Sequence, residues 1–258
     1  MLDACDPSFS LAGRKALVTG ASRGIGAALA VGLARFGADV AIAARDPARL
    51  SDCTADIAAT GRRPVRLAID VRSVDSIRFG VAAAADALGG LDILINNAGI
   101  EQVCPSLDVD EALWDRIVDT NLKGAFFAAQ AAARIMSPGS GGTIVNVCSL
   151  TSAVGVPTAV PYGSSKSGLL GMTRALAAEW APHGIRVNAL GPGYFRTGLT
   201  EAFYADAAWS QAMLAKIPAA RFGDLRDLVG TTVLLCSDAA RYVTGQILYV
   251  DGGYMASI

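Results

Sequence analysis

The chain has 258 residues, of which 52% are apolar and 17% are charged, and its 22 basic and 23 acidic residues leave a formal net charge of −1. The charges form no block of one sign, which argues against a nucleic-acid or polyanion partner. No apolar run approaches the roughly 18–20 residues that span a membrane, and the N-terminus lacks a charged-then-apolar signal pattern. We therefore expect a soluble cytoplasmic protein with no membrane partner.

Cysteine and histidine are too few and too scattered to indicate a metal centre. Five cysteines occur without C-x2-C spacing, and His183 is the only histidine. This pattern argues against a zinc site and a disulfide framework, and a single histidine weakens any Ser-His-Asp hydrolase interpretation. His183 lies between a helical pattern and an apolar run, which indicates a structural loop position. We expect no bound metal.

Short apolar runs alternate with alanine-rich helical patterns along the chain. The first run, "KALVTG" (15–20), precedes a glycine-rich turn and a helical pattern at 27–37 that ends at a glycine. Further strands are predicted at 39–44, 64–70, 91–97, 142–149, 184–190 and 245–253. Further helices are predicted at 47–60, 73–88, 109–136 and 161–181.

The order of these elements predicts the fold class. Strands without polar alternation, joined by helices, indicate a parallel sheet covered on both faces. Right-handed crossovers then give an α/β, Rossmann-type doubly wound sheet with its ligand at the carboxyl ends of the strands. No repeat or linker interrupts the pattern, so residues 1–258 are predicted to form a single domain. Only 192–222 departs from regular alternation, and we expect this segment to be a substrate lid.

The stretch "TGASRGIG" (19–26) directly follows the first strand and opens the first helix. Gly20, Gly24 and Gly26 let the backbone turn tightly and approach a pyrophosphate, whose charge faces the helix N-terminus. A glycine-rich turn alone is weak evidence, because many loops need positive φ angles. Its place between a strand and a helix favours dinucleotide binding.

The end of the second strand bears on which dinucleotide is bound. An acidic residue often holds the adenosine ribose hydroxyls there, but this chain has Ala44 followed by Arg45. Arginine binds a 2′-phosphate, and Arg23 in the glycine-rich turn adds a second positive charge. The alternative is two solvated arginines, with Arg45 paired to Asp46. The missing acid and the present base together favour NADP(H) over NAD(H).

Tyr162 and Lys166 in "YGSSK" are four residues apart, so they lie on one face of a helix. An ammonium close to a tyrosine lowers the pKa of the phenol and makes it a proton donor and acceptor usable near neutral pH. A surface pair without function has the same spacing, so the rest of the chain has to decide between the two interpretations.

Several motifs together resemble the short-chain dehydrogenase/reductase family in its single-domain form. They are "TGASRGIG", "NNAG" (96–99), Asn121, Ser149 and "YGSSK" (162–166), in the family's order and at its spacings. The resemblance covers nearly the whole chain. It implies a seven-stranded parallel sheet with helices on both faces, a nicotinamide cofactor, an oxidoreductase acting on CH–OH groups, and a homotetramer or homodimer.

The resemblance also implies catalytic roles for four residues. Tyr162 is expected to exchange a proton with the substrate oxygen, and Ser149 to hold that oxygen. Lys166 is expected to stabilise the phenolate and to hydrogen-bond the nicotinamide ribose, and Asn121 to support a water relay to Lys166. Each residue alone has a structural alternative, as a helix-face aromatic, a strand-end cap or a helix-interior polar group. Jointly they predict one catalytic cleft.

Cofactor contacts are implied at the glycine-rich turn, at the ends of the second and third strands, after two later strands and at the catalytic pair. These positions are Gly20, Ser22, Arg23, Gly24, Ile25, Gly26, Arg45, Asp70, Val71, Asn97, Ala98, Gly99, Tyr162, Lys166, Pro192, Gly193, Phe195 and Thr197.

Substrate choice is expected to depend on the variable segments 100–107, 150–160 and 194–217. The lid and the C-terminal run most resemble the gluconate 5-dehydrogenase branch, which implies an NADP(H)-dependent exchange between gluconate and 5-ketogluconate. A 3-oxoacyl-thioester (acyl-carrier-protein) reductase and a broad-range ketone reductase remain alternatives. Outside enzymes, the alternative is a non-catalytic NADP-binding sensor. A sensor is expected to have lost at least one of the four catalytic residues, and all four are present.

Overall fold

The computed structural model describes residues 8–197, 204 and 206–257. Within them, one parallel sheet has seven strands in the order β3-β2-β1-β4-β5-β6-β7. The strands are β1 (Lys15–Thr19), β2 (Asp39–Ala44), β3 (Val65–Ala68), β4 (Ile93–Asn96), β5 (Gly142–Val147), β6 (Ile185–Pro192) and β7 (Ile247–Val250). The strand order changes direction between β1 and β4, which confirms the predicted doubly wound sheet and places a crevice at their carboxyl ends.

Helices pack on both faces of the sheet because successive strand residues point to opposite sides. Those described are α1 (Gly24–Arg35), α2 (Ser51–Ala58), α3 (Val74–Leu88), α4 (Glu111–Val118), α5 (Gly124–Met136), α6 (Val160–Trp180), α7 (Ala207–Leu214) and α8 (Asp227–Cys236). In β1, Ala16 and Val18 join a core that includes side chains of α1, α2 and α8. Leu17 joins the opposite core, with side chains of α3, α5 and α6.

The predicted elements are confirmed, with local corrections to their ends. The helix predicted at 27–37 begins at Gly24 and ends at Arg35, because Gly37 has a φ of +107° and cannot continue it. The first turn of the helix predicted at 47–60 is a 3₁₀ turn, with Asp46 as its N-cap. The last strand covers only 247–250, since glycines with positive φ angles flank it.

The helix predicted at 109–136 is interrupted by a π-helical turn. Residues Asp119–Lys123 form this turn between α4 and α5, and they include Asn121. π turns are rare and occur mostly as single turns within α-helices, frequently at functional sites. Here the turn contains two buried polar residues, Thr120 and Asn121. Thr120 Oγ1 donates to Arg116 O at 2.7 Å, which leaves Asn121 as the side chain directed toward neighbouring elements.

A chain of buried polar side chains fixes α6 against the sheet. Asn96 Nδ2 at the end of β4 donates to Asn146 Oδ1 on β5 at 3.0 Å. Asn146 Nδ2 then donates to Thr173 Oγ1 on α6 at 2.9 Å. Asn146 and Thr173 are fully buried, where a satisfied hydrogen bond adds specificity and an unsatisfied one is costly. The network therefore fixes the position of the helix that carries Tyr162 and Lys166.

The predicted lid lies partly outside the described residues. Of the segment 192–222, the structure describes 192–197, 204 and 206–222. In this part, Phe195 forms a short bridge with Gly223, and α7 begins at an N-cap in which Asp206 accepts from two backbone N–H groups. Among the helices of the described ranges, none is long and apolar enough to cross a membrane.

Candidate active site

A cleft of about 1290 Å³ opens at the carboxyl ends of the central strands. The loops that follow β1 to β6 line it together with α7 and the C-terminal segment. Every residue predicted from the sequence as catalytic or cofactor-binding lines this cleft, except Asn121, which is buried behind it. The structure thus brings the predicted positions into one crevice, at the edge where parallel α/β sheets bind their ligands.

The glycine-rich turn after β1 presents backbone to the cleft. Gly20 and Gly24 have φ angles of +67° and +58°, which disfavour any residue with a Cβ. A Cβ on Gly26 would lie 2.3 Å from Asn97 Nδ2 and 2.4 Å from Gly20 O. The N-terminus of α1 has neither a side-chain cap nor an acidic residue in its first turn. This close-approaching backbone and the uncapped helix N-terminus fit a dinucleotide pyrophosphate.

The end of the cleft beside β2 and β3 is rich in arginine. The arginines that line it are Arg23, Arg45, Arg49 and Arg72. Arg45 forms no ion pair with Asp46, whose Oδ1 accepts from Ala48 N at 2.9 Å in capping the following turn. Within the described residues, Arg45 forms no ion pair and is exposed at the cleft. The guanidinium group can therefore face a phosphate.

The segment after β4 joins the glycine-rich turn to the catalytic pair. Asn97 Nδ2 donates to Thr19 O and to Gly20 O, each at 3.0 Å, so this amide holds the turn in place. A Cβ on Gly99 would lie 3.3 Å from Asn121 Oδ1 and 3.6 Å from Lys166 Nζ. Glycine at this position allows the backbone of the cleft wall to pass close to both side chains.

The end of β6 forms the opposite wall. Gly193 N donates to Val250 O at 2.9 Å, and a Cβ on Gly193 would lie 2.6 Å from Asp251 Cα. Pro192 and Phe195 are buried at this point, and Thr197 also lines the cleft. The close approach to the chain after β7 fixes the strand end at the site.

Tyr162 and Lys166 lie on successive turns at the start of α6. Lys166 Nζ is 5.6 Å from the centroid of the Tyr162 ring and donates to Val147 O, at the end of β5, at 2.7 Å. Lys166 is only 4% exposed, and its burial lowers the pKa of the ammonium. The lysine is therefore held by the sheet, with its head group beside the tyrosine.

The ionisation of Tyr162 differs from the sequence expectation. Burial raises the pKa of this phenol, the negative charge of Glu101 raises it further, and a hydrogen bond with Ser149 acts in the opposite direction. The lowering by Lys166 that the sequence predicts is not seen here, because burial is the largest influence on the phenol. Tyr162 is therefore a neutral phenol near pH 7, which is the form that can donate a proton to a carbonyl.

Ser149 lies between β5 and a single 3₁₀ turn. Its hydroxyl accepts from Thr151 N at 3.2 Å, so this N-cap bond orients the side chain. Ser149 also acts to lower the pKa of Tyr162, and both hydroxyl-bearing residues line the cleft. Two adjacent hydroxyls can contact a single substrate oxygen.

Asn121 acts on the backbone of the cleft wall. Its Oδ1 accepts from Ile100 N at 2.8 Å, and its Nδ2 donates to Ile100 O at 2.9 Å and to Ser165 Oγ at 3.1 Å. The side chain is 1% exposed. The amide thus connects the π turn to α6 and to the segment after β4, with all of its contacts directed at neighbouring elements.

Among the cleft residues that were not predicted as site residues, Glu101 and Tyr254 lie near the catalytic end. Glu101, directly after the "NNAG" motif, lines the cleft and influences the pKa of both Tyr162 and Lys166. Its signal in the sequence was the single formal charge in the segment 100–107. Tyr254 is the other, because its ring lies 5.3 Å edge-on from the ring of Tyr194 at the cleft, although it comes from the C-terminal run.

Aromatic rings form part of the cleft wall. Tyr194 also contacts Trp209 edge-on at 5.8 Å, and both rings line the cleft. The Asp206 cap fixes the start of α7, because its carboxylate accepts from Ala208 N and Trp209 N. The cleft therefore has an apolar face beside an acidic group and two hydroxyls, a combination suited to a small hydroxylated substrate.

Comparison with known proteins agrees with this geometry. A short-chain dehydrogenase family model, described as enoyl-(acyl carrier protein) reductase, matches residues 20–255. Gluconate 5-dehydrogenase of Gluconobacter oxydans (strain 621H) is 42% identical to the chain over 250 residues, which is 97% of this chain and 98% of that protein.

Solved structures extend the similarity. A protein provisionally assigned as a short-chain alcohol dehydrogenase from Sinorhizobium meliloti 1021 is 64% identical, with a TM-score of 0.96 over 98% of this chain and 100% of that one. A gluconate 5-dehydrogenase from Burkholderia cenocepacia J2315, in complex with NADP and tartrate, is 37% identical, with a TM-score of 0.93 over 97% and 98% of the two chains. A family match across most of the chain, together with relatives of this identity and coverage, shows that the chain belongs to the short-chain dehydrogenase/reductase family.

Proposed function

We propose that the protein is an NADP(H)-dependent oxidoreductase that transfers a hydride between the nicotinamide and a carbonyl or secondary alcohol. The observation that carries this proposal is the convergence of Ser149, Tyr162 and Lys166 with the glycine-rich turn on one cleft. A neutral phenol paired with a hydroxyl supplies the proton that reduction of a carbonyl needs. The bound nicotinamide would supply the hydride.

In this proposal each catalytic residue has one task. Tyr162 donates its proton to the substrate oxygen, and Ser149 holds that oxygen by its hydroxyl. Lys166 donates a hydrogen bond to Val147 O, and its positive charge lies beside the phenol. This charge stabilises the phenolate that forms when Tyr162 gives up its proton. Asn121 is a positioning residue, since it fixes the backbone of Ile100 and the α6 residue Ser165.

The arginines at the adenosine end support NADP(H) over NAD(H). Arg45 stands where an acid would hold ribose hydroxyls, and Arg23, Arg49 and Arg72 line the same end of the cleft. Guanidinium groups bind phosphate through charge-assisted, often bidentate hydrogen bonds. The NADP complex of the related enzyme from Burkholderia cenocepacia supports the same assignment.

For the substrate we propose a sugar acid of the gluconate/5-ketogluconate type. The gluconate 5-dehydrogenase relatives support this choice, and so do the aromatic wall and the rim cations Arg116 and Lys216, which line the cleft and can attract a carboxylate. A 3-oxoacyl-thioester reductase has to dock an acidic carrier protein, which needs a basic patch near the cleft. Arg134 on α5 does not line the cleft, so it supplies no such patch there.

The test is the initial rate of NADPH oxidation with 5-ketogluconate, with NADH in parallel. We expect a fast rate with NADPH and a rate at least about tenfold lower with NADH, as one lost charge-assisted contact predicts. The Tyr162→Phe variant serves as the matched control, with NADPH affinity retained and turnover lost. Full turnover in that variant would favour a non-catalytic role for the tyrosine, and turnover of acyl thioesters alone would favour the carrier-protein alternative.

We further propose a symmetric homotetramer or homodimer that acts in the cytoplasm, with 192–222 as the substrate lid. Trp114 on α4 is 39% exposed, and Leu107 just before this helix is 98% exposed, which supports an apolar contact at this face. Light scattering at micromolar concentration tests the assembly, and a monomeric mass would contradict it.

A further inference from the structure

Glu101 occupies a defined place in the cleft. Both backbone groups of the preceding residue, Ile100, are held by the buried amide of Asn121 at 2.8 and 2.9 Å. This double contact fixes the chain where the glutamate side chain leaves it. Glu101 then lines the same cleft as Ser149 and Tyr162 and is partly buried there. The backbone that carries this carboxylate is therefore fixed beside the catalytic residues.

The charge of Glu101 acts on the groups around it. Burial is the largest influence on the pKa of Tyr162, Lys166 and Tyr194, and the negative charge of Glu101 acts to raise all three, although the pKa of Lys166 is lowered overall. All four residues line the same cleft. Among the residues that the structure describes, no hydrogen bond or ion pair uses the carboxylate oxygens. Glu101 therefore has two acceptor oxygens available to a group bound in the cleft that it lines.

The chemistry of a carboxylate restricts what can bind beside it. An ionised carboxylate only accepts hydrogen bonds, so it binds hydroxyl groups and repels a second carboxylate. A cationic substrate is disfavoured, because Lys166 lies close by and Arg116 and Lys216 stand at the rim. The remaining class is a neutral, hydroxylated group next to the reacting carbon.

We propose that Glu101 is a specificity-determining residue that accepts a hydrogen bond from a hydroxyl adjacent to the reacting carbonyl and excludes carbonyls adjacent to a carboxylate. This inference rests on the proposed function and deepens it. In 5-ketogluconate the carbonyl has hydroxyl-bearing carbons on both sides, and the carboxylate is at the far end of the molecule. In 2-ketogluconate the carbonyl is bonded directly to the carboxylate carbon. The cleft accepts the first compound and rejects the second.

The test compares binding of these two keto acids to the protein loaded with NADP⁺, in which a ketone binds but cannot be reduced. Calorimetric titration gives the dissociation constants for the wild type, for Glu101→Gln and for Glu111→Gln. Glu111 is a matched control, because it is exposed in the first turn of α4 and does not line the cleft. We expect the wild type to prefer 5-ketogluconate, and Glu101→Gln to reduce this preference at least about tenfold, or about 1.4 kcal/mol. Glu111→Gln is expected to leave it unchanged.

A second pair of ketones separates this inference from the sugar-acid assignment. Acetoin has a hydroxyl-bearing carbon next to its carbonyl, whereas pyruvate has a carboxylate there. Neither compound is a sugar acid. A preference for acetoin that depends on Glu101, with no binding of 5-ketogluconate, would remove the sugar acid and retain the role of Glu101. An unchanged preference in Glu101→Gln, equal binding of the paired ketones, or no binding of any of the four overturns the proposal.

Discussion

The clearest test of how the site is built is removal of the Asn121 amide. The residue is 1% exposed and makes three hydrogen bonds, at 2.8, 2.9 and 3.1 Å, two of them to Ile100. At about 1 kcal/mol for each bond, Asn121→Ala is expected to lower the free energy of unfolding by about 3 kcal/mol. Asn121→Asp is expected to cost at least as much, because it replaces the donor to Ile100 O by an acceptor oxygen.

Equilibrium urea unfolding at one fixed protein concentration measures this loss as a lower midpoint with an unchanged slope. Ser106→Ala, an exposed change six residues after Ile100, is the control and is expected to shift the free energy by less than about 0.5 kcal/mol. A similarly small effect in Asn121→Ala would refute the conclusion that this amide supports the cleft wall. We also expect kcat to fall in Asn121→Ala, since the wall carries Glu101 and contacts the helix of Lys166.

Three further predictions concern the cofactor, alkaline stability and an unpaired hydroxyl. Arg45→Asp is expected to lower kcat/KM for NADPH by about 10–100-fold and to raise kcat/KM for NADH. The reason is that a contact to the 2′-phosphate is replaced by an acceptor for ribose hydroxyls. Initial rates with both cofactors measure this. Burial raises the pKa of Cys53 from 9.0 to about 11, so its contribution to stability is complete below pH 9 and is lost as the pH rises through 11. The free energy of unfolding is expected to fall between pH 9 and pH 11. We expect this fall to be about 2 kcal/mol smaller in Cys53→Ala than in the wild type. Thr151 Oγ1 is buried without a hydrogen-bond partner within the described residues, so Thr151→Val is expected to raise the free energy of unfolding by about 1 kcal/mol in urea titrations; a loss of stability would contradict this.

Local pattern was sufficient for the elements that carry the cofactor cleft. The strand predicted at 39–44 has the bounds of β2, because an apolar run at 40–44 begins after Asp39 and ends before an arginine. The glycine-rich turn was also predictable, since Gly20 and Gly24 need positive φ angles that other residues rarely adopt. Both features depend on neighbours in the chain.

Features that depend on contacts between residues distant in the sequence could not be predicted. The apolar spacing of 109–136 suits an uninterrupted helix, and one extra residue in a π turn barely alters it. The spacing of Tyr162 and Lys166 predicted their proximity but not the bond from Lys166 to Val147 O, which requires the position of β5. Glu101 gains its importance only from burial beside Tyr162, so its charge was visible in the sequence but its effect on the phenol was not.

The π turn at Asp119–Lys123 also affects how this chain tolerates changes in length. Each residue of an α-helix advances the helical phase by about 100°, so an inserted residue lets α4 and α5 keep different phases. Leu113 and Ile117 set the buried side of α4, while Ala128, Ala129 and Ala132 set that of α5. Deleting one residue between them would restore a regular helix and rotate one of the two buried sides toward solvent. We therefore expect single-residue deletions between α4 and α5 to be tolerated less well than substitutions at the exposed position of the turn.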